Sequence, residues 1–476
     1  MLLIALLLCP LLAAAVALPG LLGPRLAERT GALLSGLAFL LSLVVAARVA
    51  AEGVVSIGPE EFLRADGLSA ILLLIVTGVA WVAMQFGAGE DALGRRYLVL
   101  SHTFVFTMLL AVLINNLGIM WVAIEATTIA TAFLVGLHRT RSALEASWKY
   151  ILIGSVGIAL AFIGTVLSYF NFVQRIGDLS YALHWTVLSR VAAGLDPDVT
   201  RLAFVFLLVG YGTKAGLAPM HTWLPDAHSE APATISAMMS GSLLAVAFYA
   251  ILRFKVVADI CIGTSFTDHM LILTSVTTVA VAATLLARQA NYKRMLAYSS
   301  VEHMGLMCLG SALGSLGLVA SLLHALTHAA SKSMVFLLSG RIRERYGTTR
   351  IGSVRGLLRS LPWSGPLFAG GVLALLGLPP FGVFTSEMLL LRAGFLAGRP
   401  FVTGTILALL VFVFISMLGH LNRMLYGEPP EKTPAGEDPR RLWPLAVNAA
   451  VLLVLGVVVP GPLMRLLDRA AGIVAP

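Results

Sequence analysis

Apolar residues run along this chain in long blocks separated by short polar connections. A membrane-spanning helix needs about 20 consecutive apolar residues, and 14 segments approximate that length. No segment alternates apolar and polar positions like a half-buried strand, and no heptad pattern occurs. The pattern predicts an all-α polytopic membrane protein, a single transmembrane domain over 1–476, with these spans: 1–23, 30–51, 64–86, 98–115, 117–137, 148–170, 202–220, 233–254, 269–288, 296–315, 318–339, 365–397 (long and broken), 401–424 and 443–466.

Composition supports this class. Hydrophobic residues make up 58% of the chain and charged residues 12%, whereas soluble domains carry about 25% charge. The apolar start has no basic residues before Pro10, so we expect a first membrane helix rather than a cleaved signal peptide. The longest polar connections are 171–200, 340–362 and 425–442.

The chain lacks the usual signatures of bound cofactors. Its cysteines, Cys9, Cys261 and Cys308, are far apart and form no Cys-x-x-Cys, so we expect no iron–sulfur, zinc or disulfide framework. No P-loop, Gly-x-Gly-x-x-Gly or Gly-x-Ser-x-Gly motif occurs either. We therefore expect no cofactor in this chain and no catalytic redox chemistry of its own.

Basic residues predict an orientation. With the N-terminus outside, the predicted inner loops carry 20 Lys and Arg residues and the outer side carries 10. Because cytoplasmic loops are enriched in such residues, we expect both termini outside, in a bacterial cytoplasmic (inner) membrane. The net charge of +9 then reflects topology and requires no nucleic acid.

Lys214 is a charged residue inside the seventh apolar segment, five positions before Pro219. An ammonium at the bilayer centre costs about 2.5–3.5 kcal/mol on insertion scales, and proline breaks a helix. A similar Gly-Leu-x-Pro break occurs at Pro379 and Pro380, followed by Glu387. Paired broken helices in opposite orientations mark many ion transporters, so the pattern predicts ion movement.

Further ionisable residues lie within the apolar segments: Glu125, Lys149, Glu302 and His303. A further three are spaced i, i+4, i+8 and share one helix face: His324, His328 and Lys332. Histidine titrates near neutral pH, so this column is suited to carrying protons.

Each residue also has a purely structural interpretation. Glu125 could pair with a lysine to hold the helices together, and Lys149 could extend to the interface. His303 and His324 could be hydrogen-bonded core histidines. A structural role for so many intramembrane ionisable groups together explains the pattern poorly.

A polar turn follows the first break and contains His221, Asp226 and His228. These side chains could ligate a metal, but their spacing is no zinc signature and no thiolate is near. We expect a turn that gates access to Lys214, and no metal.

Three runs of the sequence carry a family resemblance: 214–232, 291–305 and 324–328. They resemble the antiporter-like subunits of respiratory complex I and its relatives, over roughly 70–425. Within that family, the residues around Glu125, Lys149 and His303 look most similar to the F-type subunit of hydrogenase-4 and formate hydrogenlyase-like complexes.

The resemblance implies 14 helices with two inverted five-helix repeats, 98–254 (spans four to eight) and 269–424 (spans nine to thirteen). It implies a coupling pair, Glu125 and Lys214, with Lys149 beside it. His303, His328 and Lys332 would form the relay of the second half, and Glu387 its terminal group. Ala245 stands where many relatives have a Lys or His in span eight, which puts a continuous side-chain relay in doubt. The long lateral helix of the largest such subunits is not expected.

The sequence thus predicts a proton-translocating subunit of a redox-driven membrane complex. Its partners would be other membrane subunits and peripheral subunits carrying iron–sulfur centres. The main alternative is a subunit of a multisubunit Na+/H+ antiporter, which neighbouring genes would distinguish. A further alternative, an assembly or anchoring protein, predicts loss of the Glu125 and Lys214 pair, yet both residues are present.

Overall fold

The computed structural model describes residues 1–87, 94–177, 181–430 and 437–475. They form 20 α-helices: α1 Leu2–Val16, α2 Pro24–Glu52, α3 Gly67–Gly87, α4 Gly94–Leu113, α5 Leu117–Val135, α6 Arg141–Ile176, α7 Trp185–Val191, α8 Pro197–Ala215, α9 Trp223–Glu230, α10 Ala233–Met238, α11 Leu244–Ile262, α12 Thr264–Leu286, α13 Tyr292–Gly310, α14 Gly314–Tyr346, α15 Leu357–Ser360, α16 Ser364–Leu375, α17 Gly382–Leu396, α18 Pro400–Leu425, α19 Trp443–Val457 and α20 Gly461–Val474. Two short antiparallel strands, β1 Val55–Ile57 and β2 Leu63–Ala65, pair between α2 and α3. A π-helical turn, Met239–Leu243, joins α10 to α11.

Within the described residues, nine helical segments are long and apolar enough to cross a membrane. Helices α8, α13 and α14, which carry buried ionisable side chains, are outside this group. The predicted class, an all-α multi-pass membrane protein, is confirmed. The number of 14 spans stays a prediction.

Both predicted breaks coincide with the end of a helix. Helix α8 ends at Ala215, and Gly216 follows with φ +80°. Helix α16 ends at Leu375, and Gly377 has φ +62°. This left-handed backbone favours glycine, which lacks a Cβ. In each break a cis peptide bond ends at the third residue after that glycine, Pro219 or Pro380.

Two stretches differ from the sequence-based expectation. The connection 171–200 is largely helical, because α6 continues to Ile176, α7 follows and α8 begins at Pro197. The predicted span 443–466 is two helices, α19 and α20, separated at Val458–Pro460. Pro460 has no backbone N–H to continue α19, so the chain turns there.

The helices carrying ionisable side chains occupy the centre of the bundle. The most apolar part of Ala233–Ile262 is fully buried, whereas only 22% of that of α18 is buried. Helices α13 and α14 pack on each other and on α17, and α14 also packs on α10. A bidentate ion pair joins α11 to the start of α3: the Arg253 guanidinium donates to the Asp66 carboxylate at 2.8 and 2.7 Å. The charges near the bundle axis are therefore shielded from lipid.

Helices α6 and α8 approach each other closely through glycines. A Cβ at Gly157 would lie 2.5 Å from the Cβ of Thr213, and one at Gly210 would lie 2.4 Å from the backbone N of Ala161. Only glycine permits this backbone contact. It brings the face of α6 that contains Tyr150 against the last turn of α8, where Lys214 lies.

Candidate functional site

Lys214 has no exposed surface. Its Nζ donates to Thr128 Oγ1 at 2.7 Å and to the Tyr150 hydroxyl at 2.5 Å. It also lies 4.6 Å from the centroid of the Tyr150 ring, where the electron-rich face of the ring attracts a cation. Side chains from α5 and α6 therefore hold this amine.

Glu125 reaches Lys214 through Thr128. The Thr128 hydroxyl donates to Glu125 Oε2 at 3.1 Å while it accepts from Lys214. Ser155 of α6 donates to the other carboxylate oxygen at 3.3 Å. No ion pair within the described residues joins Glu125 directly to Lys214 at 4.0 Å or less. The two predicted partners are thus connected by a hydroxyl that can exchange one hydrogen bond for another.

Tyr150 continues the chain of hydrogen bonds. Because its oxygen accepts from Lys214, its hydrogen is free to donate to Thr131 Oγ1, 2.7 Å away. Thr131 in turn donates to the carbonyl of Thr127 at 2.6 Å. The Tyr150 ring also packs on Trp223, 4.6 Å between ring centroids. These contacts fix the orientation of the hydroxyl.

Lys149 lies elsewhere, contrary to the expectation that it is beside the pair. Its side chain is 48% exposed and forms ion pairs with Glu145 at 2.7 Å and Asp226 at 3.3 Å. Adjacent residues on a helix point about 100° apart. The structure therefore turns Tyr150, rather than Lys149, toward Lys214.

In the polar turn after the first break, Asp226 is partly exposed, whereas His221 and His228 are buried. Asp226 forms ion pairs with Lys149 and with Arg294 at the start of α13. His221 is buried near Tyr298, 6.3 Å between ring centroids. His228 is fully buried, stacks on Phe336 at 4.9 Å, and has no hydrogen-bond partner for either ring nitrogen among the described residues.

In the second half, His303 and His324 form a hydrogen-bonded pair, with 3.0 Å between Nδ1 and Nε2. Ser386 lies 2.9 Å from His324 Nδ1 and donates to the carbonyl of Val383. The serine hydrogen is thus used, so neutral His324 donates from Nδ1 and accepts at Nε2. His303 then donates from Nδ1, which leaves its Nε2 as an acceptor with no partner among the described residues.

Glu302 provides the nearest acid. Its Oε2 lies 3.7 Å from His303 Nε2, and its Oε1 has no hydrogen-bond partner in the described part of the chain. The His328 ring lies 5.1 Å from that of His303, and its Nε2 is likewise unpartnered there. Lys332 Nζ donates to the Leu296 carbonyl at 2.7 Å. Buried polar atoms without partners commonly contact water.

Glu387 lies against the second break. A Cβ at Gly377 would be 2.0 Å from Glu387 Oε2, so the carboxylate packs directly on the glycine backbone. One donor atom each from His303, His324 and Glu387 lies within 4.8 Å of the others. Two imidazoles and a carboxylate are a zinc-type donor set, but here the two imidazoles bond to each other. The set is better suited to proton exchange.

Buried hydroxyl side chains are frequent in the π-helical turn and in α12 and α13, which pack on α11, the helix that carries Ala245. Ser240 and Ser300 hydrogen-bond to each other at 2.7 Å. Thr278 accepts from the backbone N–H of Ala218 at the first break, at 3.1 Å. Three further buried serine hydroxyls lack partners among the described residues: Ser242, Ser275 and Ser299. This region is polar although Ala245 itself carries no ionisable group.

Sequence reasoning missed three contributors: Thr128, Tyr150 and Ser386. It named Glu302 among the buried ionisable residues but gave it no role in the relay. A signal existed for Tyr150, since it lies one turn before Gly154 and two before Gly157, on the small-residue face that packs on α8. Thr128 follows Glu125 by three residues, one helical turn. Nothing local singles out Ser386.

The fold and these buried groups define a class: a multi-pass helical membrane protein with two broken helices and ionisable side chains at its core. A family model described as NADH:quinone oxidoreductase/Mrp antiporter, transmembrane, matches residues 114–416. The chain belongs to this family.

Similar proteins agree with that assignment. The chain is 39% identical over 383 residues to a hydrogenase-4 component F homolog of Methylacidiphilum infernorum (isolate V4), covering 78% of this chain and 80% of that protein. It is 30% identical to NADH-quinone oxidoreductase subunit N of Salinispora arenicola (strain CNS-205), covering 94% and 91%. In structure it is similar to a chain of the membrane-bound sulfane sulfur reductase, an archaeal respiratory membrane complex, with TM-score 0.90, 25% identity and coverage of 99% and 98%.

Proposed function

We propose that this chain is a proton-translocating subunit of a multisubunit, redox-driven membrane complex of the NADH-quinone oxidoreductase or hydrogenase type. One observation carries the proposal: the amine of Lys214, fully buried, is held by two hydroxyls, one of which also binds the Glu125 carboxylate. Burying a charged amine inside a membrane protein costs free energy, so such a lysine usually has a function.

The Glu125, Thr128 and Lys214 group acts as an electrostatic switch. Opposite charges a few ångströms apart stabilise each other. A charge change in a neighbouring subunit attracts or repels the Glu125 carboxylate, and Thr128 then rotates away from one of its two partners. Without the carboxylate's field, Lys214 releases its proton more readily.

The released proton passes toward the second half through the buried hydroxyls of the π-helical turn, α12 and α13, which pack on the helix carrying Ala245. Ser240, Ser300 and the unpartnered serines there can hold water, which bridges the missing side chain. Lys332, His328, His303 and His324 then carry the proton to Glu387, which exchanges it with one aqueous side. Lys149 takes no part in this path and forms an ion pair with Asp226.

Two inverted repeats, 98–254 and 269–424, organise this path. In support, each contains a broken helix with a positive-φ glycine three residues before a proline. Helices α4, α5, α6 and α8 pack in succession, as do α12, α13, α14 and α17.

The complex lies in a bacterial cytoplasmic membrane, with both termini of this chain outside. Redox subunits carrying iron–sulfur centres supply the energy, since no cofactor site is proposed in this chain. The names of similar proteins, a hydrogenase-4 component and a quinone oxidoreductase subunit, support this setting.

The test compares Lys214→Ala with Arg201→Ala in the assembled complex. Arg201 is on the same helix, and its side chain is 45% exposed and paired with Asp198. In inverted vesicles, redox-driven acidification should be lost in Lys214→Ala and retained in Arg201→Ala. Equal acidification by the two, at equal assembly, would refute the proposal. Acidification that requires Na+ and collapses with a sodium ionophore would instead indicate a Na+/H+ antiporter function; the family's description also includes the Mrp antiporter.

A further inference from the structure

An apolar cavity of about 430 Å³ lies between α2, α3, α14 and α19, away from the ionisable groups. Its volume falls in the range of roughly 300–1,000 Å³ typical of ligand sites. Phe39, Trp81 and Leu326 are among its lining residues, and the polar side chain Asn448 donates to Ser333 Oγ at 2.8 Å. The cavity therefore suits a hydrocarbon ligand.

The mouth of the cavity faces the bilayer. Its rim includes exposed apolar side chains of α2 and α19: Leu43 (43% exposed), Val451 (38%) and Val454 (47%). Both helices belong to segments able to cross a membrane, Pro24–Glu52 and Pro439–Val457. A ligand entering here comes from the hydrocarbon phase.

Basic residues lie next to one end of the cavity. Arg440 and Arg441 are exposed just before α19, and neither forms an ion pair with the described residues. Trp443 begins α19 one turn before the lining residue Val447 and packs on Trp81, 5.8 Å between ring centroids. Tryptophan at the membrane interface marks headgroup depth.

Among the described residues, the two carboxylates next to these arginines accept from backbone N–H groups. Glu437 accepts from the backbone N–H groups of Trp363 and Ser364. Asp438 accepts from the backbone N–H of Arg440. Within the described part of the chain neither carboxylate forms an ion pair with Arg440 or Arg441, so both guanidinium groups can bind an anion from the membrane.

We propose that this cavity binds one acyl chain of an anionic phospholipid, with the phosphate group at Arg440 and Arg441. An acyl chain has the required shape and apolarity. Basic residues at a membrane surface select anionic lipids.

The bound chain supports the core of the bundle. The cavity floor includes Ala329 of α14, next to His328, and Val79 of α3. A Cβ at Gly241, in the π-helical turn, would lie 3.2 Å from both the Ala329 carbonyl and a methyl of Val79. A bound acyl chain therefore supports the packing of α14 against the π-helical turn.

The first experiment blocks the mouth. Val451→Trp fills it, whereas Leu453→Trp on the same helix places the same indole at an exposed position (43%) that does not line the cavity. Both complexes are reconstituted in nanodiscs of phosphatidylglycerol and phosphatidylcholine, re-extracted in detergent, and examined by native mass spectrometry. We expect Val451→Trp to retain one phospholipid fewer than Leu453→Trp. Equal retention overturns the site, as does crosslinking of a photoreactive residue at 451 to a partner protein with no lipid adduct.

The second experiment tests the headgroup. Arg440→Gln with Arg441→Gln should reduce the preference of the retained lipid for phosphatidylglycerol, by roughly fivefold per arginine, because each basic residue contributes ~1 kcal/mol at an anionic surface. Arg423→Gln, an exposed arginine at the end of α18 on the same predicted side, is the control. An unchanged preference in the double variant overturns the assignment of Arg440 and Arg441 as the phosphate site.

Discussion

At the residue scale, the contacts of Lys214 change its interpretation. The sequence suggested a simple ion pair with Glu125, whereas the structure inserts Thr128 between the two and adds Tyr150 as a second acceptor. A hydroxyl both donates and accepts, so it couples the two charged groups without fixing them. The proposed switch therefore depends on neutral residues as much as on charged ones.

Tyr150→Phe tests this dependence. The ring and its packing on Trp223 remain, but Lys214 loses one acceptor. Hydrogen bonds to charged groups are worth ~1.5–3 kcal/mol, so redox-driven proton uptake should fall by roughly tenfold or more. Proton uptake in vesicles, normalised to assembled complex, measures the effect.

The control is Tyr169→Phe, an exposed tyrosine of the same helix. If both phenylalanine variants pump alike, the Tyr150 hydroxyl has no part in proton transfer.

At the element scale, the two broken helices share backbone geometry but differ in where the ionisable group stands. Lys214 precedes the first break, in the last turn of α8, whereas Glu387 follows the second break on α17. Gly216 faces Leu224, but Gly377 faces the Glu387 carboxylate itself. At the second break, the backbone of Gly377 therefore contacts the Glu387 carboxylate directly and fixes its position.

Gly377→Ala should destabilise the protein by ~1 kcal/mol or more, because alanine is strained at φ +62° and its Cβ meets Glu387. Gly370→Ala, in α16 with open space around its Cβ, should instead stabilise it by ~0.5–1 kcal/mol, as expected in a helix interior. Thermal unfolding of the purified complex in detergent compares them. Equal midpoints would show that the backbone at 377 tolerates a side chain.

At the scale of the whole molecule, several charged residues predicted on the inner side contact each other, while the orientation in the membrane stays a prediction. Residues predicted inside meet each other, as in the Lys149, Asp226 and Arg294 ion pairs. Arg95, also predicted inside, donates to the carbonyls of Leu18 and Leu22 at the inner end of the first predicted span. Of the basic residues counted for the orientation, Lys432 lies outside the described part of the chain.

Cysteine labelling tests the direction of insertion. Ser56 and Ser353 are exposed serines in connections predicted outside and inside, respectively. After replacement of the three native cysteines, a membrane-impermeant thiol reagent applied to spheroplasts should label Ser56→Cys and spare Ser353→Cys until the cells are lysed. The reverse pattern would invert the proposed topology.

Much of the architecture follows from the sequence. The helical multi-pass class and the ends of α8 and α16 were predicted from apolar length and from proline. The division of 443–466 into two helices was missed, although Pro460 signals it. Lys149 was misplaced because a sequence motif does not say which of two adjacent side chains faces the next helix.

The sequence by itself determined where the membrane helices run, where they break and which ionisable groups they carry. These follow from properties of each residue: its free energy of transfer into lipid, and the missing N–H of proline. Only the tertiary structure decided which groups meet. Lys214 contacts Thr128 and Tyr150, which are 86 and 64 residues away. These contacts form because glycines let α6 and α8 approach closely. If α6 were rotated by one residue about its axis, Lys149 would face Lys214 in place of Tyr150.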